Sequence, residues 1–236
     1  RKESSAASDV YKRQGLTSLF TSVLTILNIS ELGINSAIAF CLYQPVAEHD
    51  VTSINALMAL MKKLYNAIGL FILMVGLCLV PFLDELIIGS HPEDINIYWL
   101  YIVYLVNSVV SYLGFAYKQT LFEVNQRGDI NHKISVVTET CKYILQIIVL
   151  LAFENYYYYA IMLPIASFVI TVITQVMSRK EYPEIVPQGK VPAQTKKIIR
   201  DKVVYLSAHS IAASVTNSVD NIVLSSHLGL VIVGIY

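Results

Sequence analysis

Polar and charged side chains that recur inside long apolar stretches are the residues of this sequence whose types and spacing could do chemistry. In four stretches they follow one another at steps of three, four or seven residues, which places each set on one face of a helix. The sets comprise Thr17, Thr21, Asn28, Glu31 and Asn35; Tyr104, Asn107, Ser111, Gly114 and Lys118; Ser135, Thr138, Lys142 and Gln146; and Ser207, Ser210, Ser214, Asn217 and Asn221, with Asp220 at the flank of the last. Ammonium groups attract anions, and hydroxyl and amide groups hydrogen-bond to other hydroxyls. The four faces therefore predict a water-accessible cavity between helices.

The charged members of these sets are the most informative, because an ionised group inside a bilayer is costly and needs a partner or water. Glu139 lies three residues before Lys142 and can pair with it. That spacing is compatible with a purely structural ion pair and with a role in substrate binding. Lys118 lies near the inner boundary and can snorkel to the interface. The Ser and Thr positions are explained by close packing of membrane helices.

Six apolar stretches near 20 residues long must position these side chains, and a helix of that length crosses about 30 Å of hydrocarbon. Their approximate limits are 16–43, 65–88, 97–122, 134–153, 157–177 and 203–225. Of the 236 residues, 55% are hydrophobic and 14% are charged, whereas an ordinary soluble domain has roughly 25% charged residues. The sequence therefore predicts an all-α, polytopic membrane protein with about six transmembrane helices.

The basic residues are sorted between the connections and so indicate an orientation. The connections between the first and second, third and fourth, and fifth and sixth stretches contain 12 of the 17 Lys and Arg residues, and the alternate connections contain none. Cytoplasmic loops carry such an excess, so these three connections are predicted to be cytoplasmic. The formal net charge of zero gives no basic excess that would indicate nucleic acid as a partner.

Three further segments carry local predictions. Asp50 or Thr52 can cap an amphipathic helix over about 52–64, which is expected to lie along the membrane surface. Residues 183–192, PEIVPQGKVP, have the composition of a flexible linker. The run of Tyr residues at 156–159 is interpreted as an aromatic belt at the outer membrane edge rather than as a platform for sugars.

The first fourteen residues, RKESSAASDVYKRQ, lack the pattern of a signal peptide. They resemble the translation of a sequencing adapter, and we expect a non-native, disordered tail at 1–14 followed by the transmembrane region at 15–236.

Sequence motifs for catalysis or metal binding are absent. The sequence contains no Walker A, HExxH or GxSxG motif, its five His residues have no ligand spacing, and its three Cys residues form no CxxC pair. We therefore expect no enzyme, no catalytic residue, no metal site and no cofactor. A membrane-embedded polysaccharide-synthesis enzyme is less favoured, since the predicted outer connections contain no Arg.

Three long segments carry a resemblance to a known family: GLTSLFTSVLTILNISELGINSAIAFCLYQPVAEHD, INALMALMKKLYNAIGLFILMVGLCLVPFLDELI and SVTNSVDNIVLSSHLGLVIVGIY. They resemble the oligosaccharide flippases of bacterial capsule and exopolysaccharide clusters, within the multidrug/oligosaccharidyl-lipid/polysaccharide exporter superfamily. The resemblance implies a parent of twelve to fourteen helices in two halves around a central cavity, of which this chain would hold the second to seventh. It also implies translocation of undecaprenyl-diphosphate-linked oligosaccharide repeat units across the bacterial cytoplasmic membrane by alternating access. A cation-coupled multidrug exporter of the same superfamily is the alternative.

The resemblance suggests roles for the polar residues. Glu31 and Gly33 in SELGINSA, and Asn217, Asp220 and Asn221 in TNSVDN, stand in the family's motifs. Cations would bind the diphosphate, amides would bind glycan hydroxyls, and carboxylates would gate or couple the motion. The expected residues are respectively Lys142 and Lys118; Asn28, Asn107, Asn217 and Asn221; and Glu31, Asp220 and Glu139. The implied partners are a lipid-linked oligosaccharide, membrane lipids and polysaccharide-synthesis machinery.

Overall fold

Helices make up the regular structure of the described chain. The computed structural model describes residues 2–28, 33–87, 95–114, 116–153, 155–207, 223 and 226, and within these ranges every regular element is a helix. In chain order the helices are α1 (Lys2–Leu27), α2 (Ile34–Ala47), α3 (Val51–Leu79), α4 (Leu83–Leu86), α5 (Ile97–Leu113), α6 (Gln119–Val124), α7 (Gly128–Phe153) and α8 (Tyr156–Glu181), followed by α9 over residues 193–207. Single 3₁₀ turns at Val80–Phe82 and Ala116–Lys118 precede α4 and α6.

Three helical segments of the described ranges are long and apolar enough to cross a membrane: Val51–Leu86, Gly128–Phe153 and Tyr156–Glu181. The pair formed by Ile97–Leu113 and Ala116–Val124 is a fourth candidate, bent by 46°. The bend follows Gly114, which ends α5 with a non-helical ψ of −133°. The chain is thus an all-α polytopic membrane protein, as predicted. Most of the sixth predicted span, 203–225, lies outside the described residues.

The first predicted span, 16–43, is divided into α1 and α2. Gly33 precedes α2 with a φ of 88°, a left-handed conformation that an α-helix does not contain. A Cβ at this position would lie 2.9 Å from the backbone nitrogen of Ser207 in α9. The continuous helix predicted from the local sequence is therefore wrong, because the left-handed conformation of Gly33 interrupts it.

Residues 2–14 are helical, in contrast to the disordered tail expected there. Helix α1 runs without interruption from Lys2 to Leu27. The tail contains no Pro, and its Ala, Lys, Glu, Arg and Gln residues favour helix. It continues an apolar helix, so each added residue forms a backbone hydrogen bond without the cost of nucleation.

Helix α3 begins at a turn predicted to be cytoplasmic and continues into a segment long and apolar enough to span the membrane. The Asp50 side chain caps it, accepting hydrogen bonds from the backbone nitrogens of Thr52 and Ser53 at 3.1 Å each. A hydrogen bond from the Ser53 side chain, together with these backbone hydrogen bonds, lowers the pKa of the Asp50 carboxyl. The predicted cap is confirmed. The predicted surface helix over 52–64 is wrong, because most of its apolar face packs into the protein core, where Met58 and Met61 are fully buried.

The segment predicted to be a flexible linker packs against the protein. Ile185 and Val191 are buried in the same hydrophobic cluster as the first turns of α3. Gly189 has a φ of 96°, and a Cβ there would lie 3.6 Å from Cβ of Ala56. In α9, Ile199 is likewise buried. Residues 183–192 are thus a strap across α3, fixed by their apolar side chains.

Helix α5 lies at the centre of the helix packing and contacts α1, α3 and α8. Two glycines of α3 allow the close approach of α5. A Cβ at Gly69 would lie 2.8 Å from Cδ2 of Leu113, and one at Gly76 would overlap Cδ1 of Leu105. Small residues at helix contacts are typical of membrane proteins. The Tyr101 hydroxyl also donates a hydrogen bond to the carbonyl oxygen of Gly76 at 3.1 Å.

We expect Gly76→Ala to destabilise the protein by about 1–3 kcal/mol, because the new Cβ overlaps the Leu105 side chain. Thermal unfolding in detergent measures the loss. The second change Leu105→Val removes the overlapping Cδ1 and should make the double variant more stable than Gly76→Ala alone. If the stability lost in the double variant equalled the sum of the losses in Gly76→Ala and Leu105→Val, this explanation would be contradicted.

Candidate functional site

Two cavities lie beside α5 and together form the candidate site. We call them the outer cavity, of about 470 Å³, and the inner cavity, of about 310 Å³. Ser111 and Tyr112 line both, so the cavities adjoin along α5. The names follow the orientation predicted from the loop charges, since the Lys118 end of this span is the cytoplasmic one. Both volumes fall within the range of ligand sites, about 300–1,000 Å³.

The outer cavity brings together the polar faces predicted on the first and third stretches. Its lining includes Thr17, Thr21 and Asn28 on one side and Tyr104, Asn107 and Ser111 on the other, with Tyr159 of α8. The cavity predicted between helices is therefore present. Its walls present hydroxyl and amide groups, which suit a ligand rich in hydroxyls.

Two amides of the outer cavity retain hydrogen-bonding capacity. Asn107 accepts a hydrogen bond at Oδ1 from the Ser167 hydroxyl at 2.7 Å, and its side-chain nitrogen has no partner within the described ranges. The Oδ1 atom of Asn28 is buried and lacks a partner among the described residues. A buried polar atom without a partner is costly, so these amides are suited to a ligand or water in the cavity.

A hydroxyl network is centred on Thr17, among the residues that line the outer cavity. The Thr17 hydroxyl donates to the carbonyl oxygen of Arg13 at 3.1 Å. Its oxygen then accepts from the hydroxyls of Tyr156, at 2.6 Å, and Tyr104, at 3.1 Å. The Tyr156 ring stacks on Tyr159, with 5.4 Å between centroids. This network orders the aromatic side chains around the cavity.

The four consecutive tyrosines thus have different environments, and the prediction of an aromatic belt does not describe the side chains of Tyr156 and Tyr159, which face the protein. Tyr158 is 48% exposed, as a belt residue would be. The Tyr157 hydroxyl contacts the backbone of Asn96. Tyr156 and Tyr159 point inward, because a helix turns 100° per residue and cannot present four adjacent side chains to lipid.

The inner cavity contains a polar face that sequence reasoning missed. It belongs to α8, where Ser167 and Thr171 line the cavity and Thr174 and Ser178 continue the face, each 1% exposed. Opposite them lie Asn35 of α2, Gln119 and Glu123 of α6, and Ser135 of α7. The signal was available, since positions 167, 171, 174 and 178 recur at steps of three and four.

Lys142 is placed beside the cavities and lines neither of them. Its side chain is 8% exposed, forms an ion pair with Glu139, and lies 4.2 Å from the ring centroid of Tyr143. On the same buried face, the Gln146 side-chain nitrogen donates to the carbonyl oxygen of Tyr159 at 3.0 Å. The predicted pair is confirmed.

Lys118 is buried among cations. It is 5% exposed in the 3₁₀ turn before α6, and the charges of Arg179 and Lys62 act on it. Within the described ranges it has no hydrogen bond or ion pair. The end of the span predicted to be cytoplasmic therefore carries a concentration of positive charge, which is suited to an anion.

Four of the residues predicted for the site, Glu31, Asn217, Asp220 and Asn221, lie outside the described residues. Among the residues that the structure describes, no group of three His, Cys, Asp or Glu side chains is arranged to hold a metal ion.

Comparison with known proteins decides the family. Residues 14–236 match the family described as "Polysaccharide biosynthesis protein". The chain belongs to this family. No curated protein and no solved structure matches the chain. Membership of the polysaccharide biosynthesis family, together with helices long enough to span a bilayer, indicates a membrane protein with a role in polysaccharide biosynthesis or export.

Proposed function

We propose that this polysaccharide biosynthesis protein moves undecaprenyl-diphosphate-linked oligosaccharide repeat units across the bacterial cytoplasmic membrane, and that it is a transporter rather than an enzyme. The observation that carries the proposal is the polar cavity between α1, α5 and α8, inside a bundle of apolar helices. The hydroxyl and amide groups of its lining favour a polar occupant, whereas the outer surface of the helices is apolar. A glycan attached to a lipid combines these properties.

The outer cavity is the proposed site for the glycan. Asn28 and Asn107 have unused hydrogen-bonding groups there, and the aromatic ring of Tyr159 adds an apolar surface. Sugar hydroxyls both donate and accept, so the available acceptor of Asn28 and donor of Asn107 match them. Asn217 and Asn221 remain proposed partners from the part of the chain outside the described residues.

Positive charge is the proposed attraction for the diphosphate. Lys118 and Arg179 lie near the end predicted to be cytoplasmic, and a phosphate would relieve the repulsion between them. Lys142 is the second proposed phosphate ligand, reached after exchange of its partner Glu139. In this proposal Glu31, Asp220 and Glu139 bias the change between inward- and outward-open states, because each can alter its charge or partner.

The polyprenyl tail stays in the bilayer while the polar part crosses. Helix α7 shows the required division: Thr138 and Lys142 are buried on its inner face, whereas Val136, Val137 and Leu151 are 61–81% exposed on its outer face. Polysaccharide-synthesis proteins that supply the lipid-linked unit are the proposed functional partners.

Complementation of a flippase-deficient bacterial strain tests the proposal. We expect the full-length gene that encodes this chain to restore surface polysaccharide, and Asn107→Leu to reduce that recovery by about tenfold, since a buried polar ligand would lose a hydrogen bond. Val137→Leu, on the exposed face of α7, is the matched control and should have no effect. Recovery of dye or drug efflux without surface polysaccharide would favour the cation-coupled exporter instead.

A further inference from the structure

A separate groove lies on the other side of α3, where helix α9 crosses it. Its volume is about 320 Å³, and its lining is almost entirely aliphatic. The lining residues are Ile34, Leu60, Leu64, Ile199 and Val203, with Lys196 and Arg200 as the polar members. None of them lines the outer or inner cavity, so the groove is distinct from the proposed transport site.

The spacing of residues in α9 places two cations at this apolar groove. Lys196, Ile199, Arg200 and Val203 occur at steps of three, one and three, and so share one face of the helix. Ile199 is 4% exposed and fixes the helix to the protein. The Arg200 side chain is 74% exposed, and its ion pair with Asp201, at 3.5 Å, is itself exposed and weak. Both cations are therefore available to an anion.

The charge distribution places the groove at the predicted cytoplasmic surface of the membrane. Lys62 and Lys63 lie between the groove residues Leu60 and Leu64 on α3. Lys197 and Lys202 lie between the first and last groove residues of α9 in the sequence. Cytoplasmic headgroup regions attract such basic residues. The apolar part of the groove is then at the depth where lipid acyl chains begin.

We propose that this groove binds an anionic glycerophospholipid of the inner leaflet. The phosphate lies between Lys196 and Arg200, and one acyl chain occupies the space lined by Leu60, Leu64 and Val203. The positive charges of the site are complementary to the negative charge of the lipid, and the aliphatic lining suits an acyl chain. The bound lipid would connect α9 to α3. The site does not depend on the proposed transport function.

Native mass spectrometry of the purified full-length protein, with phosphatidylglycerol and phosphatidylcholine of identical acyl chains, tests the site. Retention of phosphatidylglycerol should exceed that of phosphatidylcholine. The variant Lys196→Gln/Arg200→Gln should lower the affinity for phosphatidylglycerol about 30-fold. Each basic residue near an anionic headgroup contributes roughly a factor of five to that affinity. The matched control Lys133→Gln/Lys180→Gln removes two exposed cations outside the groove lining and should retain the lipid.

A second variant tests the apolar part. Val203→Trp fills the groove and should reduce retention of phosphatidylglycerol while leaving both cations in place. Equal retention of the two lipids, or equal loss in the groove variant and its matched control, would overturn the proposal. Displacement by glycerol phosphate at the same concentration would show a simple anion site, and preferential displacement by undecaprenyl phosphate would show a substrate site. Either result would also overturn it.

Discussion

Gly33→Ala is expected to destabilise the protein by about 2–4 kcal/mol, the sum of two independent costs. The first is conformational, because a residue with a Cβ is strained at the φ of 88° that Gly33 adopts. The second is steric, since that Cβ would lie 2.9 Å from the backbone nitrogen of Ser207 and 3.1 Å from Cβ of Leu206. Backbone atoms of a helix cannot move aside separately, so α9 would have to shift as a whole.

Thermal unfolding in detergent measures this loss, and Gly128→Ala is the matched control. Gly128 has a negative φ, and a Cβ added there would have no neighbouring atom within 4 Å. Alanine at this position should therefore be neutral or stabilising.

A second substitution separates the two costs. Asn tolerates the left-handed region better than Ala but is larger. Gly33→Asn should therefore be at least as damaging if contact with α9 dominates, and milder if backbone conformation does. A Gly33→Ala protein as stable as the Gly128→Ala control would contradict both explanations.

Lys142→Met should reduce transport by at least about tenfold while leaving membrane insertion intact, because a charge-assisted hydrogen bond to the diphosphate would be lost. Transport of a lipid-linked oligosaccharide into the outer leaflet of reconstituted vesicles measures the effect. Lys133→Met is the control, since that side chain belongs to the same helix and is 76% exposed. Unchanged transport by Lys142→Met would remove this residue from the proposed site.

Substitution of Glu139, the ion-pair partner of Lys142, distinguishes substrate binding from a purely structural role of the pair. Glu139→Gln frees the Lys142 ammonium, so transport should be retained if that ammonium binds substrate. If the pair only stabilises the fold, each single variant should lower thermal stability and Lys142→Met/Glu139→Gln should recover it, because neither charge is then left alone.

Helical periodicity was sufficient to predict the cavity, because polar side chains in a membrane protein turn away from lipid. Thr17 and Thr21 on α1 and Asn107 on α5 therefore had to face protein or water, and they line one cavity. The same rule applied to Ser167 and Thr171 would have added α8 to the helices predicted to line a cavity. Hydroxyl residues alone are a weak signal, since they also serve helix packing.

Contacts between distant segments explain what the sequence could not predict. The break before α2 coincides with a close approach of Ser207 to Gly33, which are 174 residues apart. The Pro and Gly residues of 183–192 indicated flexibility, whereas the segment is held by burial of Ile185 and Val191. A strap of this kind can be recognised only when the surface that receives its apolar side chains is known.

The continuity of α3 has a mechanical consequence. Ala56 and Tyr65 belong to one uninterrupted helix. Ala56 lies against the strap, whereas Tyr65 lines the inner cavity and packs on Tyr112, with 5.9 Å between the ring centroids. Ala56 and Tyr65 are separated by about 13 Å along the helix axis. A helix without a Pro or a break transmits rotation and tilt as a rigid body. A displacement of the strap that moves α3 as a whole would therefore also move Tyr65 in the wall of the inner cavity.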